Sequence, residues 1–232
     1  MLETINRIIV MALPVLFAVG IHEAAHGFAA WKMGDDTASR AGRITLNPLR
    51  HIDIFGSILL PLVLVLSRAP FVFGYAKPVP INPAYFRDYR RGMILTALAG
   101  PFANFSLMLL GMFVVLMFYQ AGTPLQSTWV GVFGLFILIN FVLMLFNLIP
   151  IPPLDGSRVI SMFMSWRTMA AFNSLERFGI LILLFLVIFD SRLHVLSSVF
   201  MGAFWLLSSF GSFAFGATFA DYFMSAAFNM LR

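Results

Sequence analysis

The sequence predicts an all-α polytopic membrane protein with five to six transmembrane helices, a re-entrant segment, and a region, residues 37–91, able to form short β-strands. Three observations carry this. The 232 residues are 60% hydrophobic and 11% charged, whereas soluble domains hold roughly 45–50% apolar and about 25% charged residues. Several apolar runs approach the roughly 20 residues that a spanning helix needs. The Lys and Arg residues gather between those runs. The length suits a single membrane-embedded domain over residues 1–232, with a core at about 6–160 and C-terminal helices at about 175–220.

The chain has no cysteine, so disulfides and thiolate metal sites are excluded, and any metal must use His, Asp or Glu. The net charge of +5 does not point to nucleic acid, because Lys and Arg in a membrane protein chiefly mark cytoplasmic loops. The expected surroundings are a lipid bilayer, with no nucleic acid partner.

The first span runs from about Asn6 to Lys32, with Pro14 placed to kink it. Ala18-Val19-Gly20 has the spacing of a signal cleavage site, but the apolar run continues to Trp31, too long for a signal sequence. Gly34-Asp35-Asp36 ends the span. The polar stretch Thr37–Arg50 follows, in which Arg43-Ile44-Thr45-Leu46 alternates like a short strand. Ile52–Ser67 is apolar but only sixteen residues long, between a short span and a re-entrant loop. Arg68–Arg91 is basic and proline-rich, and Pro80-Ile81-Asn82-Pro83 cannot continue a helix. Val72–Tyr75 has the composition of an edge strand.

Gly92–Tyr119 and Val130–Ile149 are clear spans. Gly100-Pro101 marks a break in the first, with Asn104 one turn later. Asn140 interrupts the second, which ends at Asn147 and runs into Pro150-Ile151-Pro152-Pro153-Leu154-Asp155-Gly156. Leu175–Phe189 and Val195 to about Ala220 are two further spans. If Ile52–Ser67 dips and returns, residues 32–91 and 150–177 all face the cytoplasm, and the positive-inside rule is satisfied. That arrangement has five spans, the N-terminus outside and the C-terminus inside.

His22-Glu23-Ala24-Ala25-His26 lies within the first apolar run, where ionisable side chains are expensive and mark function. On a helix, His22 and His26 share one face. Two imidazoles so spaced can hold one metal ion, with Glu23 beside them to act on water. A third ligand would come from His51, Asp53, Asp155, Glu176, Asp190, His194 or Asp221. Asp155 differs from the rest, because it follows three prolines at a broken helix end, and irregular backbone at membrane depth belongs to buried or water-lined sites.

With Asn147-Leu148-Ile149-Pro150 leading to Leu154-Asp155-Gly156, with Gly100-Pro101-Phe102-Ala103-Asn104, and with the first-span motif, the chain resembles the site-2 proteases, intramembrane zinc metalloproteases of peptidase family M50. Asn47-Pro48-Leu49-Arg50-His51-Ile52-Asp53 and Gly74-Tyr75-Ala76-Lys77-Pro78-Val79-Pro80 resemble its minimal branch, which lacks PDZ and CBS domains. The resemblance implies one Zn²⁺ per chain held by His22, His26 and Asp155, with Glu23 as general base toward a zinc-activated water. It implies substrate contacts from Asn104 and from Asn140 or Asn147, and the cleavage of transmembrane protein substrates in a multi-pass protein of the cell membrane. Strands at 43–46 and 72–75 would add a substrate strand by edge pairing. Asparagines in membranes also serve as interhelical hydrogen-bonding groups, and Asp after a proline-rich turn can simply cap a helix. A metal-ion transporter and a catalytically inactive membrane scaffold are the rival functions. A transporter would usually show paired repeats with matching broken helices, and none is visible.

Overall fold

The computed structural model describes residues 2–59, 63, 76–125, 127–179, 181–182, 185, 189 and 194–229. Apolar runs fold as helices because, away from water, a helix satisfies its backbone N–H and C=O groups within one segment. The helices are α1 (Leu2–Met33), α2 (Thr37–Arg40), α3 (Tyr89–Gln120), α4 (Thr128–Leu148), α5 (Asp155–Ser161), α6 (Trp166–Asn173), α7 (Val195–Phe215) and α8 (Ala217–Asn229), and there is no strand among the described residues. Short 3₁₀ turns occupy Pro48–His51, Pro83–Tyr85 and Ser174–Phe178, and a π-helical turn occupies Ile54–Leu59. Residues Ala12–Met33 of α1, together with α3 and α4, are long and apolar enough to cross a membrane. The 32 residues of α3 extend about 48 Å at about 1.5 Å per residue.

Three local expectations change, and two others lie outside the described residues. Gly100-Pro101 does not break α3, which runs unbroken from Tyr89 to Gln120. A proline removes one N–H, whereas ending the helix in apolar surroundings would strand several backbone groups. Arg43–Leu46 is irregular rather than a strand. His51 Nε2 binds the Thr45 carbonyl oxygen at 3.1 Å, and the Asn47 backbone N–H donates to Thr45 Oγ1 at 3.1 Å, so the chain turns instead of pairing. Val72–Tyr75 lies outside the described residues, as does most of Ile52–Ser67 beyond the π-helical turn. The last expected span is divided at Gly216, which has φ 91°, a conformation that glycine adopts without steric cost.

The chain folds as two compact units. The first comprises Met1–Ala18, Asn104–Leu145 and Ile188–Arg232. Its core is apolar: Met108, Met112, Val115, Ile137, Leu138, Phe141, Leu207 and Phe219. Gly111 permits close helix packing, since a Cβ there would lie 2.7 Å from Ile137 Cγ1. Two buried amides join its helices. Asn104 Nδ2 donates to Asn140 Oδ1 at 2.8 Å and to the Ala18 carbonyl at 3.3 Å. Asn140 Nδ2 donates to the Phe136 carbonyl at 2.8 Å.

The second unit comprises Val19–Ala103 and Phe146–Val187. It contains the C-terminal part of α1, the N-terminal part of α3, helices α5 and α6, and the irregular segments between them. Asn47 and Asn82 each precede a proline that opens a 3₁₀ turn, and their side chains accept from the N–H groups of Leu49 and Ala84 at 3.1 and 3.2 Å. Such Asn-Pro pairs are turn starters, because the amide mimics a backbone acceptor and proline presets φ.

Candidate metal centre

Within the second unit, α1 presents His22 and His26 one turn apart, 6% and 7% exposed. The third member arrives from the chain that follows α4. Ile151 N–H donates to the Ile149 carbonyl at 2.8 Å and Leu154 N–H to the Ile151 carbonyl at 2.9 Å, which makes a tight double turn. Three prolines within Pro150–Pro153 leave few donors for anything longer. Helix α5 then begins at Asp155. Gly156 is required here by close approach, since a Cβ would lie 2.7 Å from the Ile149 carbonyl oxygen and 2.6 Å from the Leu148 carbonyl carbon. Ser157 N–H and Oγ both donate to the Leu154 carbonyl, at 3.0 and 2.6 Å, and lock the first turn of α5.

Asp155 Oδ2 stands 3.2 Å from His22 Nε2 and 3.2 Å from His26 Nε2, and the two Nε2 atoms are 3.0 Å apart. No helix-capping hydrogen bond comes from the side chain of the residue preceding Asp155. Asp155 is 9% exposed, and its Oδ2 is buried without a hydrogen bond of proper geometry. His26 Nδ1–H donates to the Thr96 carbonyl oxygen at 2.7 Å, which fixes the tautomer and leaves the Nε2 lone pair turned toward the other two ligand atoms. Three atoms able to ligate a metal therefore converge on one point. Tetrahedral ligands at zinc distances stand about 3.3 Å apart, so a triangle with edges of 3.0–3.2 Å fits a divalent ion with one further position open. The donor set, two imidazoles and one carboxylate, also suits zinc.

Gly100 closes this centre on the α3 side. A Cβ there would lie 2.5 Å from His22 Cε1 and 2.6 Å from His22 Nε2, and it would meet His26 Nε2 as well. Glu23 is half-buried beside the pair, and its Oε2 accepts from the Val79 backbone N–H at 3.0 Å. A cavity of about 270 Å³ borders His26, with Thr96, Met93 and Ala97 of α3, Ile81, and Ser157 of α5 among its walls.

The remaining expected site residues lie elsewhere. Asn104 and Asn140 belong to the first unit, bonded to one another. Asn147 lies in the second unit, half-buried in the last turn of α4. Of the other candidate ligands, Asp53 accepts from Gly56 N–H at 2.7 Å, Glu176 pairs with Arg158 at 2.7 Å, and His194 precedes α7 in a left-handed conformation. Asp190 lies outside the described residues. Gly100 and Val79 lie within motifs quoted above, but nothing in the sequence gives them, or Thr96, these roles. Two of them act through backbone atoms and the third through the lack of a side chain, none of which leaves a compositional trace.

Residues 115–189 match the family model described as Peptidase family M50. Three similar relatives each carry a name beginning "Putative zinc metalloprotease". YwhC of Bacillus subtilis is 37% identical over 79% of this chain and 81% of its own length. Rip2 of Mycolicibacterium smegmatis is 30% identical over 75% of this chain and 64% of its own. MJ0611 of Methanocaldococcus jannaschii is 32% identical over 62% of this chain and 68% of its own. No solved structure matches significantly. The ion implied by the relatives' names is zinc, and the His22, His26 and Asp155 group is able to hold it.

Proposed function

The chain belongs to peptidase family M50 and is a metalloprotease by that membership; from that premise we propose that it is an intramembrane zinc endopeptidase of the site-2 type, cutting within or near transmembrane segments of membrane-protein substrates. The observation that carries this reading is the convergence of His22 Nε2, His26 Nε2 and Asp155 Oδ2 in one buried triangle. Glu23 stands on the same helix beside it.

In this reading His22, His26 and Asp155 hold the ion, and Thr96 orients His26 through its carbonyl. When bound, zinc supplies Lewis acidity, which acidifies water and polarises the scissile carbonyl. Glu23 is the general base. With Oε2 held by the Val79 amide, Oε1 takes a proton from the attacking water and returns it to the nitrogen of the leaving amine. Proton transfer of this kind contributes roughly 10²–10⁴-fold. A substrate helix must unwind to expose its peptide bond, and the side-chain amides of Asn104 and of Asn140 or Asn147 are the groups to bind its extended backbone. The membrane arrangement we propose has five spans, with residues 52–67 re-entrant and the basic loops cytoplasmic, in a multi-pass protein of the cell membrane. A metal transporter would have no use for a general base beside the ion, and an inactive scaffold would have no use for the triangle.

The test uses purified protein in liposomes together with a pool of single-span fusion proteins, with fragments read by mass spectrometry. Wild type is expected to cut within apolar segments and to carry one zinc. Glu23→Gln keeps the zinc and loses at least about 100-fold in rate, while Asp155→Ala loses the zinc. Cleavage that persists in Glu23→Gln, or full zinc in Asp155→Ala, would overturn the reading.

A further inference from the structure

Between Lys77 and Pro83 every second or third residue is proline. Prolines 78, 80 and 83 have no N–H to donate, so the segment can form neither helix nor a regular strand edge. Three of the remaining donors are tied individually. Lys77 N–H donates to the His51 carbonyl at 2.9 Å. Asn82 N–H donates to Asp35 Oδ2 at 2.6 Å. Asp35, fully buried, also accepts from Thr37 N–H at 3.0 Å. Between these anchors, Val79 N–H meets Glu23 Oε2. The segment is a strap with its middle N–H on the carboxylate beside the metal centre.

Arg43 sets the near end of that strap. It is 9% exposed and makes no ion pair among the described residues. Its guanidinium donates to the carbonyls of Lys77 at 2.6 Å, of Pro78 at 3.4 Å, and of Arg50. Its Nε is buried without a partner. A cation buried without a carboxylate is costly unless its donors are used. Here they are used on the two carbonyls that immediately precede the Val79 amide. A planar fork can join three carbonyls from two segments, whereas a lysine ammonium is a single point on a flexible stem.

We propose that Arg43 is a positioning residue for the general base. By fixing Lys77 and Pro78 it aims the Val79 N–H at Glu23 Oε2, which holds the carboxylate in one orientation and leaves Oε1 for the proton. The proposal rests on the reading of Glu23 as general base.

The kinetic test uses the single-span fusion that wild type cuts fastest, with rates expressed per bound zinc. Arg43→Gln is expected to lower kcat about 10–100-fold, the effect of a base misplaced by about 1 Å. KM should change less than about twofold, because substrate binding is untouched. Arg43→Lys should recover part of the loss. A second variant replaces Val79 by its α-hydroxy analogue, so that an ester oxygen stands where the N–H was. It should lose kcat to a similar degree with zinc intact. Unchanged kcat per zinc in Arg43→Gln, or in the ester variant, overturns the proposal. If Arg43→Gln does not fold, the ester variant decides alone. A wild type that cuts no fusion overturns the peptidase reading, and this proposal with it. A wild type that cuts no faster than both variants overturns this proposal only.

Discussion

The two units bury different kinds of residue. Of the eleven buried polar or charged residues among those described, only Asn104 and Asn140 belong to the first unit, and they are bonded to each other. The other nine, among them His22, His26, Asp35, Arg43 and Asp155, belong to the second. The first unit is regular helix around methionine, leucine and phenylalanine. Apolar contact is non-directional, so such a core accepts exchanges that conserve volume. The second holds its polar groups with irregular chain, and each group needs a particular partner at a particular angle. Glycine and proline are therefore required at fixed places. Where the backbone cannot shift, a small change reaches the metal centre directly.

This contrast can be broken by experiment, and the largest expected effect is at Gly100. Gly100→Val adds atoms where a Cβ alone would already come within 2.6 Å of His22 Nε2. Zinc affinity, measured by competition with a chelator, should fall at least about 100-fold, at the upper end of what displaced ligand support costs. Wild-type affinity would show that the centre is looser than its distances imply.

A smaller effect is expected from Ile137→Val in the first unit. Ile137 is fully buried, and losing one methylene should cost about 1 kcal/mol of stability, measured by unfolding in mixed detergent micelles. Zinc stoichiometry should remain at one per chain. Zinc loss in this variant would erase the distinction between a tolerant core and an exacting one.

The smallest effect sharpens the comparison. A double-mutant cycle with Asn104→Leu and Asn140→Leu should give a coupling energy of about 0.6 kcal/mol, the average for interhelical hydrogen bonds in membranes. A coupling near zero, accompanied by a rise in KM for the fusion substrate, would move these amides from helix packing to substrate contact.

Local chemistry determined much of this protein before any folding was considered. Composition dictated the membrane class, and run length located α1, α3 and α4 to within a few residues, because backbone satisfaction in lipid leaves helix as the solution for a long apolar run. A spacing of four set His22 and His26 on one face, because the helical period is a local property. The prolines around residues 150–153 marked the place where the backbone turns. Tertiary structure alone decided what lies across from these residues. Asp155 approaches the two imidazoles from more than a hundred residues away. Thr96 offers its carbonyl to His26 across a separation of 70, and Val79 its amide to Glu23 across 56. A carbonyl and an amide exist at nearly every position, so nothing in the identity of a residue announces which one will be used. Folding chooses among them by bringing distant segments together, and the metal centre takes its shape from that choice.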